Sequence, residues 1–286
     1  MADIATVNSV AWADLSNVGG VAKASVGKLG GTLDAPSSYS NDYSVDFVAV
    51  SSQYVLLDDS GAGLNFDGTS PFSISFWIKP HTDTTDHAGA LIHIFAKSLG
   101  SGGGYMGYHS YFYGGNFNWD VVNNSSASYM QYYAASPFVN WPTQEWKHIV
   151  CVYNGTSALT AFVNGVSMGG TQTAGSGGLP ISTPIGTSAE FAAGVAPLHP
   201  ATYFDGQIDE VSVWSAALNA TQAAAIYNSG TPTDLTGTAN LTNWWRMGDD
   251  AADDLTGTSG VINDQVASLD LTPITPTPGN KVADVP

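Results

Sequence analysis

The chain has 286 residues, of which 43% are apolar and only 11% charged, where an average globular protein has about a quarter charged. Seven Lys and Arg against 24 Asp and Glu give a formal charge of −17, which excludes an electrostatic binder of nucleic acid or of anionic membranes. One cysteine, Cys151, excludes an internal disulfide framework and a cysteine-based zinc cluster, so stability has to come from packing.

Residues 1–8 show no basic stretch followed by an apolar one, and no apolar run approaches the roughly 18 to 20 residues that span a bilayer. The expectation is a soluble chain that folds in a cytoplasm, so the sequons at Asn154, Asn219 and Asn240 are set aside. Residues 1–34 are rich in small residues and hold Lys23 and Lys28. Their Val-Gly-Gly and Leu-Gly-Gly endings suggest a weak repeat. Such a segment buries little by itself and reads as a docking arm or a disordered leader, with Val10, Trp12, Leu15, Val18 and Val21 as its attachment residues.

Further along, the hydrophobic period is two. Phe72, Ile74, Phe76 and Ile78 alternate with Ser73, Ser75, Trp77 and Lys79, the pattern of a half-buried strand. Residues 146–153 are almost continuously apolar and read as a central strand. Asn164-Gly165 lies between two apolar runs, where both residues can take the positive φ of a type I′ hairpin. Further strands are predicted at 45–57, 90–97, 105–113, 128–134, 207–214 and 241–247. The one convincing helix starts at an Asn219 cap, runs through Ala220–Tyr227, and is stopped by Gly230 and Pro232. Many strands and one short helix predict an all-β sandwich. The proline-rich tail, 272–279, reads as extended coil or an edge, either reaching outward or lying against the sandwich.

Several of these segments occur in the order found in laminin-G-like, concanavalin A-like jelly rolls. They are Ser44–Phe47 with Gln53–Leu56, then Phe72–Pro80, then Glu145–Tyr153 followed by Ala161–Gly165, then Phe204–Trp214 and the helix after it. Over residues 40–232 the chain resembles that family, which implies a concanavalin A-like jelly-roll β-sandwich. The segment Asn240–Gly248, with Val261–Asp264 and Leu269–Leu271, resembles the part that usually opens such a domain; here it comes last. Residues 35–286 are therefore expected to form one sandwich, with 233–286 adding completing strands and an extended tail. With the leader, this layout resembles virion structural proteins of tailed phages. It implies a non-enzymatic protein at the virion surface, a capsid decoration or fibre assembled in the host cytoplasm on capsid or tail proteins, with homo-oligomerisation open. The alternative is a carbohydrate-binding module for host-surface glycans, free or on a tail fibre.

The fold also hosts glycoside hydrolases, which need two carboxylates about 5 Å apart. Asp209 and Glu210 are adjacent on a strand and should point to opposite faces, which argues against hydrolysis. Calcium is the ion implied by the resemblance, with Asp205, Asp209 and Asp67 as candidate ligands. The acidic run 249–254 lacks the regular spacing of a calcium loop and reads as solvated and flexible. The six histidines show no metal-ligand pairing, and the glycines at 98–104 open no phosphate loop. The aromatic-rich stretch from Tyr105 to Trp141, interleaved with Asn118, Asp120, Asn123 and Asn124, is the candidate recognition surface. Its candidate residues are Tyr108, Tyr111, Tyr113, Asn116, Trp119 and Tyr132, although alternation sends about half of such a stretch into the core. Subunit contact ranks above glycan binding for this surface.

Overall fold

A computed structural model describes residues 39–57, 64–66, 68–81, 91–99, 106–122, 129–134, 144–175, 190–196, 203–256, 260–275 and 280–286, and four residue pairs near the N-terminus. The chain divides into two units, Met1–Ser40 and Asn41–Pro286. In the first, β1 (Thr6–Val7) pairs with β2 (Val10–Ala11), and β3 (Asn17–Val18) pairs with β4 (Val21–Ala22). Val10, Val18 and Val21 thus lie in these strands, whereas Trp12 and Leu15 lie outside the described residues, as do Asp67, Tyr105, Asn123, Asn124 and Trp141.

The larger unit contains β5 (Ser44–Phe47), β6 (Tyr54–Leu57), β7 (Phe72–Pro80), β8 (Leu91–Leu99), β9 (Met106–Tyr113), β10 (Asn116–Val122) and β11 (Tyr129–Ala134). Next come β12 (Lys147–Tyr153), β13 (Leu159–Val163), β14 (Val166–Ser167), β15 (Thr171–Ala174), β16 (Glu190–Ala193) and β17 (Gly206–Trp214). Helix α1 (Ala220–Tyr227) precedes β18 (Leu241–Trp245), β19 (Thr272–Ile274) and β20 (Lys281–Val282). Two antiparallel sheets result. The first is ordered β15-β11-β10-β9-β8-β16-β6-β19, and the second β14-β13-β12-β7-β17-β5-β20, with β18 also paired to β17. Among the described residues this is an all-β sandwich with one short helix. β5 and β6, adjacent in sequence, lie in different sheets, because the turn at Ala49–Ser51 carries the chain from one to the other.

Between the sheets lies an aromatic core. Phe72 stacks on Phe66 at 4.4 Å and meets Tyr108, Trp119 and Tyr153 at 5.0, 5.8 and 5.6 Å. The polar ends of these rings are satisfied inside. Trp119 Nε1 donates to Val152 O in the opposite sheet, Tyr108 Oη to Leu64 O, and Tyr153 Oη to Gly68 O. Tyr108 and Trp119, read from sequence as recognition residues, are therefore core residues. Tyr132 is too, with its hydroxyl accepting from Gly170 N.

β7 is buried on both faces, not one. Ser73 Oγ donates to Ala216 O and accepts from Leu218 N, while Trp77 packs at 5.7 Å from Tyr227 of α1. The helix begins with a reciprocal capping box between Asn219 and Gln222 and buries Ala223 and Ile226. It ends at Asn228, whose φ of 45° is left-handed, two residues before Gly230. Asn164 and Gly165 have φ of 49° and 74°, as a type I′ turn requires. A Cβ on Gly165 would lie 2.8 Å from Ala224 Cα, so the glycine also admits the helix.

The last strands close one side of the sandwich. β19 extends one sheet beside β6, and β20 the other beside β5. Thr275 Oγ1 donates to Ser51 O and Ser52 O, Asn280 Nδ2 to Asp46 O and Gln53 Oε1, and Asp284 accepts from Lys79 Nζ and Trp146 Nε1. Among the described residues, no helix is long and apolar enough to cross a membrane.

Candidate functional site

Side chains alternate along a strand, so the inward residues fix what lies outside. Phe112 of β9, Phe117, Trp119 and Val121 of β10, and Met130 and Tyr132 of β11 face the core. Their neighbours form two rows on the outer face. One runs His93, Tyr111, Asn118, Tyr133, Thr171 across β8, β9, β10, β11 and β15; the next runs Ala96, His109, Asp120, Gln131, Thr173.

The rows are hydrogen-bonded to one another. Tyr111 Oη donates to Asp120 Oδ2 at 2.9 Å, and Gln131 Nε2 donates to both, at 2.9 and 3.2 Å. His109 Nε2 lies 3.4 Å from the same carboxylate oxygen. Burial, with the charge of Asp120 close by, holds the Tyr111 phenol far above its ordinary pKa, so it remains a donor. Asp120 Oδ1 is buried and has no hydrogen-bond partner. The centre of the face is buried, whereas Tyr133 is 38% exposed, Tyr113 is 49% exposed, and Thr171 and Thr173 are also open to solvent. The face thus offers aromatic rings beside amide, hydroxyl and carboxylate groups, the chemistry that stacks on a sugar ring and bonds its hydroxyls.

Of the residues read from sequence, Tyr111, Tyr113 and Asn116 lie on this face. Asn116 Nδ2 donates to Tyr113 O and Gly114 O and holds the β9–β10 turn, where Gly114 and Gly115 have φ of 56° and 77°. Gln131, His93, His109, Thr171 and Thr173 were not picked out. The signal for them was the phase of alternation, legible only once β10 is recognised as a strand.

The candidate metal ligands separate. Asp205 accepts from Ala49 N and lies 3.7 Å from His81, which also contacts Asp46. Asp209 instead joins Glu210 and Asp249, with one carboxylate oxygen from each lying within 4.8 Å of the others. Asp209 and Glu210 do not point apart, because β17 bulges between Asp209 and Ser212 and Glu210 has a φ of 48°. A divalent cation could bridge carboxylates at this spacing, but five of the six oxygens already accept hydrogen bonds from the chain, and the sixth, Asp249 Oδ2, faces Arg246. Asp209 accepts from Asn41 Nδ2 and Glu210 N, and Glu210 from Arg246 Nε and Trp244 Nε1. Asp249 accepts from Asp42 N and Tyr43 N, with its other oxygen 3.4 Å from Arg246 Nη2. Arg246 is the cation of this cluster, and the residues do not fit calcium. Burial and the neighbouring Glu210 raise the Asp209 pKa, and burial raises that of Asp249. The expected result is a melting temperature that neither EDTA nor millimolar calcium changes; a rise with calcium would show that the ion displaces Arg246.

The acidic run 249–254 is not a free loop. Asp253 accepts from Gly248 N and Asn263 N, Asp250 from Ala252 N and Gln265 Nε2, and Asp254 from Thr256. These carboxylates are turn acceptors. On the outer face of the other sheet, Ser75 Oγ lies 2.7 Å from His148 Nε2, beneath Trp77 and Tyr227. Both residues are buried and His148 Nδ1 has no partner, so burial pushes the imidazole pKa down to about 3. Nothing from solvent reaches this pair.

A protein-family model, Laminin_G_3, described as the concanavalin A-like lectin/glucanases superfamily, matches residues 50–224. Among solved structures, a candidate carbohydrate-binding protein from Bacteroides ovatus ATCC 8483 is similar at 15% identity and a TM-score of 0.52. The match covers 82% of this chain and 58% of that one, so this chain spans little more than half of its length. A pentraxin of Limulus polyphemus (13% identity, TM-score 0.44, 65% of this chain and 82% of that one) is more distant. So is the binding domain of botulinum neurotoxin serotype D (15% identity, TM-score 0.47, 78% of this chain and 53% of that one). At these identities the likeness shows the fold alone. No curated protein matches.

Proposed function

Because the chain belongs to the concanavalin A-like lectin/glucanases superfamily, we propose that it is a non-catalytic, lectin-like module that binds carbohydrate on the outer face of β8–β11 and β15. The observation that carries this reading is the pair of cross-strand rows, with Tyr133 and Gln131 accessible and Asp120 Oδ1 lacking a donor. Hydrolysis would need a second carboxylate about 5 Å from the first. Among the described side chains this face carries only Asp120, and the close pair Asp209–Glu210 is buried and engaged by Arg246 and Trp244. Loss of one stacking ring costs about 1 kcal/mol or more, so Tyr133→Ala should weaken binding roughly five- to tenfold in affinity electrophoresis through immobilised polysaccharide. Unchanged mobility of a folded variant would move the site elsewhere.

We also propose that the module is carried on a phage particle, on capsid or tail proteins, through its N-terminal segment. That Met1–Ser40 is a unit of its own, with two short antiparallel strand pairs, supports its use as an attachment segment. Mass spectrometry of purified particles, comparing wild type with a chain lacking residues 1–40, tests it. Retention of the shortened chain at wild-type copy number would argue against that attachment.

A further inference from the structure

Resting on the carbohydrate-binding reading, we infer that the ligand is an uncharged glycan chain, read over two or more consecutive sugars, rather than a single terminal sugar or an anionic glycan. Two independent observations carry this. The first is the placement of the two exposed rings. Tyr133 of β11 is aligned through Asn118 of β10 with Tyr111 of β9, and Tyr113 stands two residues further along β9 on the same face. With strands about 4.8 Å apart and a rise of about 3.4 Å per residue, the two Cα atoms are roughly 12 Å apart. One pyranose ring cannot touch both tyrosines; a chain of linked rings can, running over Asn118 and Asn116 between them.

The second is charge. Beyond residue 40 the sequence holds five Lys and Arg: Lys79, Lys97, Lys147, Arg246 and Lys281. Lys79 is paired with Asp284 at 2.5 Å, Lys147 with Glu145 at 2.8 Å, and Arg246 with Glu210 and Asp249. The ammonium of Lys281 lies 4.2 Å above the Tyr43 ring. Lys97 is fully buried, in register with the core residues Tyr108 and Phe191. None of the five stands on the outer face. Its imidazoles, His93 and His109, flank Tyr111, and His109 already faces the Asp120 carboxylate. Among the described residues this leaves no cation on the face to pair with a uronate, sulfate or sialate, and with a chain charge of −17 an uncharged glycan is the one that suffers no repulsion.

The test runs the full chain through gels containing xyloglucan, galactomannan or dextran, and alginate, heparin or polysialic acid. Oligosaccharides of increasing length cut from a retaining polymer are then titrated by calorimetry. The expected result is retention by a neutral polymer alone, with affinity rising about tenfold or more between the disaccharide and the tetrasaccharide. Tyr113→Ala should remove that rise, while Tyr113→Phe keeps it. Retention by an anionic polymer, or affinity independent of length, overturns this inference and leaves carbohydrate binding standing. Retention by none of the six polymers overturns the binding reading itself.

Discussion

Between pH 6.5 and pH 3 the folded protein should lose on the order of 4–5 kcal/mol through one side chain, His148. The unfolded chain takes up a proton at the ordinary histidine pKa near 6.5, whereas the buried imidazole resists protonation until about 3. Each pH unit crossed in that window removes about 1.4 kcal/mol. The sign is that of a depressed histidine: the stability is complete above pH 6.5, falls with pH through the window, and is fully lost below about 3. The raised carboxyls of Asp209, Asp249 and Asp253 act in the opposite direction, since each holds its proton more tightly in the folded state. The informative measurement is therefore a comparison of urea unfolding for wild type and His148→Gln from pH 7 to pH 3.5. The variant keeps an acceptor for Ser75 but has no group to titrate. Wild-type stability should fall more steeply by about one proton; parallel curves would show that His148 is not held neutral.

Removing residues 272–286 should cost more than about 5 kcal/mol, a large share of the 5–15 kcal/mol typical of a domain. The cut deletes β19 and β20 with their ladders, and with them the partners of Gln53, Lys79 and Trp146. It also uncovers the β5 and β6 edges beside Val45, Phe47 and Val55, which Pro273 and Ile274 flank. Calorimetry should show no cooperative transition near the wild-type temperature. A milder cut at the same place, Asn280→Ala, removes one buried amide that binds Asp46 O and Gln53 Oε1, and should cost about 1–3 kcal/mol with cooperativity kept. A truncated chain melting like wild type would make the tail dispensable.

The fold was legible where local rules act alone. The period of β7, the Asn164-Gly165 turn and the Asn219 cap each depend on a few neighbouring residues, and each stands where the sequence puts it. The candidate site was legible only in part. Tyr111 and Tyr113 stand on the outer face, yet Tyr108, Trp119 and Tyr132 turned inward, because one missed strand, β10, left the phase of alternation undetermined. Asp209 and Glu210 failed for a different reason. A bulge suspends the period of two, and the residue that takes positive φ is a glutamate, which carries no turn signature. Apart from its neighbour Glu210, the groups gathered around Asp209, namely Asn41, Arg246 and Asp249, come from distant parts of the chain that only the folded topology brings together.

The first and last strands of the larger unit, β5 and β20, are antiparallel neighbours, with Ser44 opposite Val282. Its two ends therefore leave from one spot on the surface. A short linker from Pro286 to Asn41 with a cut at Gly114-Gly115 would give a circular permutant, and the unit could equally be grafted into a surface loop of another protein through both ends. Mechanically the arrangement is a zipper. A load drawn through the two ends falls first on the Ser44–Val282 pair and parts the ladder bond by bond, whereas a load carried by one end alone leaves that pair closed.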